Sequence, residues 1–122
     1  MESIFETKAR ENIRAADILF EHGMYNASAN RAYYAAFHAA VSAFAKAGIQ
    51  LAKLDHDKVQ AQFSGELIRR KKLYPCRLKS HLLDLQAIRN IADYRPRAVF
   101  KKMARRQLDR ATEYLQALQQ EN

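Results

Sequence analysis

Residues 89–96, with the sequence RNIADYRP, gather polar and ionisable side chains in the last turns of a predicted helix, which Pro96 ends. Such a group of side chains can bind or process a ligand. Arg89 and Asp93 are also four residues apart, the spacing of an ion pair on one helix face, worth roughly 0.2–0.5 kcal/mol. The stretch is therefore either the ion-paired end of a helix or a candidate catalytic site made of Arg89, Asn90, Asp93 and Tyr94.

A second set of polar side chains, Arg31, Tyr34 and His38, lies along one edge of a predicted helix. Seven positions separate Arg31 from His38, which is about two helical turns, and Tyr34 falls between them. Because this edge flanks an apolar face, we interpret the three residues as a half-buried polar seam or a dimer contact.

Positive charge is concentrated in the second half of the chain, which has a net charge of +8. Residues 69–122 hold 14 basic and 5 acidic side chains, whereas residues 1–68 hold 7 and 8. A basic helix face suits the phosphates of RNA or an acidic protein surface, and it also occurs as a plain solvated face. The sequence does not separate these alternatives. The candidate binding residues are Arg95, Arg97, Lys101, Lys102, Arg105 and Arg106.

Composition argues against several other classes of protein. None of the four histidines has another histidine or a cysteine three or four residues later, so we expect no metal site and no cofactor. The single cysteine cannot form an internal disulfide, which is typical of a reducing compartment. No apolar run approaches the ~18 residues of a membrane span, and the N-terminus lacks the apolar core of a secretory signal. We predict a cytoplasmic protein without a membrane association.

The elements that position these residues are predicted to be helices, because apolar residues recur at intervals of three and four throughout. A first helix covers residues 3–22 and a second, alanine-rich and central helix covers 25–47. Asp55 caps a third helix, and the last one covers 98–119. Apolar stripes define the inward faces of the last three helices: Val59, Phe63 and Leu67; Leu78, Leu82, Leu85 and Ala92; Ala104, Leu108, Ala111, Leu115 and Leu118.

With few glycines and prolines and no segment of alternating polarity, the fold class is all-α. We predict an antiparallel up-and-down helical bundle with four main helices plus one additional helix. Residues 1–122 form a single domain in this prediction, since no low-complexity tract or linker divides them.

Residues 23–48, GMYNASANRAYYAAFHAAVSAFAKAG, resemble the second helix of the HEPN family of small prokaryotic helical proteins. That helix reads roughly G-x-Y-x-x-A-x-x-R-A-Y-Y-A-x-F-H-A-A, followed by a glycine. His56, Phe63 and the late R-x-x-A-D-Y pattern at Arg89, Ala92, Asp93 and Tyr94 extend the resemblance over nearly the whole chain.

This resemblance implies a helical bundle that forms a homodimer. It also implies a toxin–antitoxin module in which the chain pairs with a minimal nucleotidyltransferase. Many members are metal-independent ribonucleases built on R-x4–6-H in a late helix, with histidine moving a proton and arginine stabilising the phosphorane. Arg89 and Asn90 match the start of that motif, and Tyr94 occupies the position of the nearest histidine.

Two functions therefore remain open, beside the plainer interpretation of a homodimeric bundle with no ligand of its own. The first is a toxin–antitoxin component that acts on or binds RNA, with Arg89 as the phosphate stabiliser. The second is a non-catalytic HEPN binding module for a nucleotide or a partner protein, whose ribonuclease motif is degenerate. Whether the chain is an enzyme is not decided by the sequence, because a tyrosine with a pKa near ~10 is a poor general base at neutral pH.

Overall fold

The computed structural model of the chain describes residues 3–51, 56–70, 72, 74–95 and 98–119. Within these residues the chain forms five α-helices and a π-helical segment, and no strand occurs among them. The all-α bundle predicted from the sequence is confirmed. The helices are α1 (Ile4–Glu21), α2 (Tyr25–Lys46), α3 (His56–Gln62), α4 (Leu78–Tyr94) and α5 (Lys101–Gln119), and the π-helical segment Phe63–Arg70 continues α3.

The turn between α1 and α2 follows the sequence prediction closely. Ser3 caps α1, because its hydroxyl accepts a hydrogen bond from the Glu6 N–H at 3.1 Å. At the other end His22 closes the helix, and Gly23 adopts a φ of +76°, a conformation that glycine enters without steric cost. The chain then reverses, and α2 begins two residues later. This tight turn makes α1 and α2 neighbours over their length.

Helix α2 lies at the centre of the bundle and packs against α1, α4 and α5. Its alanines make this possible, since a small side chain lets a neighbouring helix approach closely. Most of them are fully buried, and the larger side chains Tyr33 and Phe44 fill the space between them. The core therefore sits around α2, as its composition predicts. The buried alanines of α2 are Ala29, Ala32, Ala35, Ala36, Ala39, Ala40 and Ala43.

The third helix is shorter than its neighbours and changes type midway. The inward residues predicted for it, Val59, Phe63 and Leu67, are all buried. From Phe63 onward the backbone is π-helical, a wider form in which the hydrogen bonds span one more residue. The sequence pattern does not distinguish this form from an α-helix. Asp55, the predicted cap, lies outside the described residues.

The connection between α4 and α5 departs from the predicted boundaries. Helix α4 ends at Tyr94, and Arg95 is extended with φ −101° and ψ 149°, as expected for a residue before proline. Pro96 and Arg97 lie outside the described residues. The prediction that the last helix begins at residue 98 is wrong. Residues 98–100 are not helical, because Val99 is buried and its N–H donates to the Asn26 side chain, and α5 starts at Lys101.

In the part of the chain that the structure describes, none of the helices has the combination of length and apolar character that crossing a bilayer requires.

Candidate functional site

Arg89 occupies a core position in α4. It continues the stripe of Leu78, Leu82 and Leu85, and the residue is only 8% exposed. Its Nη2 atom donates a hydrogen bond to the hydroxyl of Tyr34 at 2.8 Å, and its Nη1 atom donates to Oδ1 of Asn90 at 2.9 Å. A buried guanidinium needs such partners, because leaving its N–H groups unpaired away from water is costly. The arginine therefore joins α4 to α2.

Asp93 neutralises Arg89 and also reaches α2. Its Oδ2 atom lies 3.3 Å from Nε of Arg89, an ion-pair contact without hydrogen-bond geometry. The same oxygen accepts a hydrogen bond from Nδ2 of Asn30 at 2.8 Å. The ion pair predicted from the spacing is thus present, and it belongs to a contact between two helices.

Arg31 extends this arrangement along α2 and towards α1. Its Nε and Nη2 atoms donate to Oδ1 of Asn30, and its Nη1 atom donates to Oδ1 of Asn12 at 2.9 Å. The guanidinium also lies over the ring of Tyr34, 4.9 Å from the ring centroid. Tyr34 thus lies between the two arginines and contacts both.

His38 completes the arrangement at the α1 side. Its Nδ1 atom lies 3.4 Å from Nδ2 of Asn12, and its ring contacts Tyr34 and stacks against Phe5. An amide nitrogen can only donate, so Nδ1 of the histidine accepts, and the proton of the neutral ring is on Nε2. In this state the lone pair of Nδ1, which would take up a proton, already accepts the hydrogen bond from Asn12.

The two candidate sets are therefore one connected polar cluster. We call it the polar seam and define it as Asn12, Asn30, Arg31, Tyr34, His38, Arg89, Asn90 and Asp93. Sequence reasoning treated the late-helix residues and the second-helix residues as separate, and it missed Asn12 and Asn30. The sequence contains one signal for Arg89, a charged residue at a position that continues an apolar stripe. No feature of the neighbouring sequence indicates that Asn12 belongs to this cluster.

The electrostatics of the polar seam favour a permanently charged Arg89. Burial lowers the pKa of this guanidinium, but the hydrogen bond to Tyr34 and the electrostatic interactions with Tyr34, Tyr94 and Asp93 raise it, with a net increase. The rings of Tyr33, Tyr34 and Tyr94 each lie 5.4 Å from its central carbon. With two arginines and one carboxylate the polar seam carries an excess positive charge, which attracts an anion.

Tyr94, the fourth predicted catalytic candidate, lies beside the polar seam and faces solvent. The residue is 71% exposed, and its ring contacts the polar seam through the guanidinium of Arg89. Its exposure fits the binding of a ligand more readily than chemistry in a water-excluded pocket.

The cations that follow α4 fall into two groups. Arg105 pairs with Asp109 at 3.2 Å and lies over the ring of Phe20, and Arg110 pairs with Asp84. The others are exposed and form no ion pair with another described residue; they are Arg95, Lys101, Lys102 and Arg106. Arg97 lies outside the described residues. We call these four the free cations; they lie just after α4 and in the first two turns of α5, and they follow the late-helix part of the polar seam in the sequence.

Among the described residues, no three histidine, cysteine, aspartate or glutamate side chains gather as ligands for a metal ion. The polar seam itself offers arginine, tyrosine, histidine, carboxylate and amide groups.

The sequence of the chain matches a known protein family. The family model of the HEPN domain matches residues 4–121, which is nearly the whole chain. The chain belongs to the HEPN domain family. A comparison with curated proteins finds no significant match.

Proposed function

We propose that this HEPN protein is a component of a toxin–antitoxin-type module, that it pairs with a minimal nucleotidyltransferase in the cytoplasm, and that it binds RNA. The observation that carries RNA binding is the group of free cations, which follow the late-helix part of the positively charged polar seam in the sequence. Four exposed cations without ion pairs among the described residues supply the electrostatic attraction that nucleic acid backbones require.

The structure provides a matched pair of variants for testing RNA binding. Lys102→Gln and Arg106→Gln together remove two free cations, whereas Arg105→Gln removes a cation that is already paired with Asp109. We expect the double variant to weaken binding of a fluorescein-labelled RNA oligonucleotide and to make the slope of log affinity against log salt shallower by roughly 1.4. The control should change both quantities much less. Equal affinity and slope for the wild type and the double variant contradict the proposal.

Pairing with a minimal nucleotidyltransferase is supported by family membership alone. It predicts that a nucleotidyltransferase gene lies beside the gene of this chain and that the two products co-purify. If the neighbouring gene encodes no such enzyme, or if the two proteins elute separately, the pairing is wrong.

Metal-independent RNA cleavage is a second candidate function, and one observation favours it. The polar seam brings the imidazole of His38 and the guanidinium of Arg89 into contact with the same side chain, Tyr34. In this candidate function His38, from α2, takes the role of the proton-transfer group that is missing after Arg89 in the sequence. Because Nδ1 of His38 faces Asn12, it becomes a base only when that contact opens.

Cleavage is tested by incubating the protein with RNA in the presence of a chelator. If His38 is the base, the wild type cleaves and His38→Ala does not, and Leu83→Ala, at an exposed position of α4 outside the polar seam, behaves as the wild type. Intact RNA with the wild type excludes this function and leaves RNA binding in place. Equal cleavage by the His38→Ala protein excludes His38 as the base.

A further inference from the structure

Two aromatic side chains stand out at the junction of α4 and α5. Tyr94 and Phe100 are each 71% exposed, more than any other large apolar side chain that the structure describes. One is the last residue of α4, and the other directly precedes α5. Exposed aromatic rings forgo the free energy of burial, and these two lie only six positions apart in the sequence, which makes this stretch a candidate binding surface.

Both rings are attached to well-anchored backbone. Tyr94 lies against the guanidinium of Arg89, which is itself buried. Phe100 follows Val99, which is 3% exposed and donates its N–H to Asn26 at 2.9 Å, and the Phe100 carbonyl accepts from the Ala104 N–H at 2.9 Å. The exposure of Phe100 is therefore a result of where the folded backbone directs it.

Cations adjoin each ring along the chain. Arg95 follows Tyr94, and Lys101 and Lys102 follow Phe100; all three are exposed. Six peptide units separate the two aromatic residues, so their Cα atoms are at most about 20 Å apart. A short stretch of an extended polyanion can contact both.

We propose that Tyr94 and Phe100 are stacking platforms for the unpaired bases of single-stranded RNA, with Arg95, Lys101 and Lys102 holding the phosphates. This inference rests on the proposed RNA binding and specifies its ligand. Aromatic rings interleaved with cations are what a single strand requires, because its bases present their faces while its phosphates need positive charge. In a duplex the base faces are covered by their neighbours, so the rings have nothing to stack on.

The test compares a labelled single-stranded 12-nucleotide RNA with the same sequence in a duplex, by fluorescence anisotropy. We expect Phe100→Ala, and Tyr94→Ala likewise, to weaken single-strand binding by roughly 5- to 100-fold. The salt dependence should stay unchanged, since no cation is removed. Phe100→Tyr and Tyr94→Phe keep a ring and should bind as the wild type. Leu83→Ala, which shortens an exposed apolar side chain elsewhere on α4, is the control for surface truncation.

The outcomes distinguish this inference from the function on which it rests. Suppose that the wild type binds RNA in a salt-dependent way and that both alanine variants bind the single strand as tightly as the wild type. Base stacking on Tyr94 and Phe100 is then wrong, although RNA binding stands. In that case a protein partner is the remaining ligand for the two rings. If both variants lose single-strand and duplex affinity alike, stacking is also wrong. A wild type that binds neither RNA overturns both proposals.

Discussion

At the scale of single residues, Arg89 is the most constrained charge described in this protein. Its guanidinium lies among side chains of the core and has partners on two helices, Tyr34 on α2 and Asn90 and Asp93 on α4. Buried charges of this kind are retained only when their hydrogen bonds are made. Arg89 therefore has a structural role whether or not it contacts a ligand.

Replacing Arg89 should destabilise the fold. In Arg89→Met the side-chain length is kept, but the hydroxyl of Tyr34 and the carboxylate of Asp93 lose a buried partner. We expect the free energy of unfolding to fall by about 1–3 kcal/mol, the usual cost of unpaired buried polar groups, measured by urea denaturation. Arg105→Met, at an exposed ion pair with Asp109, should cost less than about 1 kcal/mol. Equal losses for the two variants would show that the buried position of Arg89 is unimportant.

The sequence predicts only the local part of the polar seam. The contact between Arg89 and Asp93 follows from their spacing of four on one helix. The contacts of Arg89 with Tyr34 and of Asp93 with Asn30 join residues 55 and 63 positions apart. They depend on how α2 and α4 align in space, which spacing along the chain does not encode.

At the scale of elements, the alanines of α2 set the distances between helices. Ala36 is fully buried at the centre of the bundle, so a longer side chain there has no space. Ala36→Leu should lower the free energy of unfolding by about 1–3 kcal/mol through overpacking, measured by thermal or urea unfolding. Ala87→Leu, at an exposed position of α4, should have little effect. If Ala36→Leu is as stable as the wild type, α2 is less closely packed than the structure shows.

The pair of Glu6 and Lys46 joins the start of α1 to the end of α2 and should make stability depend on pH. The hydrogen bond from Lys46 lowers the pKa of Glu6 below its ordinary value of 4.5, against the opposing effect of burial. A carboxyl with a lowered pKa in the folded state adds stability above its unfolded pKa and loses it as the pH falls through the folded value. The unfolding free energy should therefore drop below about pH 5.

The matched variants for this effect lie on the same helix. Glu6→Gln should be less stable than the wild type at pH 7 and should lose less stability on acidification, measured from urea midpoints between neutral and acidic pH. Glu11→Gln changes an exposed carboxyl that has no ion pair with another described residue, and it should follow the wild-type curve. Parallel curves for all three proteins would mean that the pair of Glu6 and Lys46 does not link pH to folding.

The elements themselves follow from the sequence more closely than their ends do. The apolar stripes predict the bounds of α1 and α2 to within one residue, because the burial of one apolar face determines both the sequence pattern and the helix. The predicted start of α5 is wrong for a physical reason: the Val99 N–H donates to the side chain of Asn26 on another helix, and Val99 stays outside α5. The π-helical turn at Phe63 likewise leaves the apolar periodicity unchanged and so escapes a pattern based on it.

At the scale of the whole molecule, positive charge is unevenly distributed. The acidic side chains of the second half are largely engaged by neighbouring basic groups: Asp84 by Arg110, Asp93 by Arg89, Asp109 by Arg105 and Glu113 by Arg77 and His81. The remaining cations are left to attract an external anion, at long range in low salt and less so in high salt. Positive charge available to an external anion is therefore concentrated in the second half of the chain.

Membership of the HEPN family leads us to expect a homodimer in solution. Light scattering at micromolar concentration should give a mass close to twice the 14.1 kDa of one chain. A mass of one chain at that concentration contradicts the expectation. The measured mass also gives the number of chains, and hence of RNA sites, in each particle. This number is needed to fit the binding experiments.

The burial of the Arg89 Nε atom has a spectroscopic consequence. This nitrogen is shielded from water, although its proton makes no hydrogen bond among the described residues. Arginine Nε protons that are shielded in this way exchange slowly with solvent and give separate signals in nitrogen-15 correlation spectra. The ring of Tyr94 lies over the same guanidinium, so movement of that ring changes the local ring-current field. A single side-chain resonance can thus report directly when a ligand reaches this end of the protein.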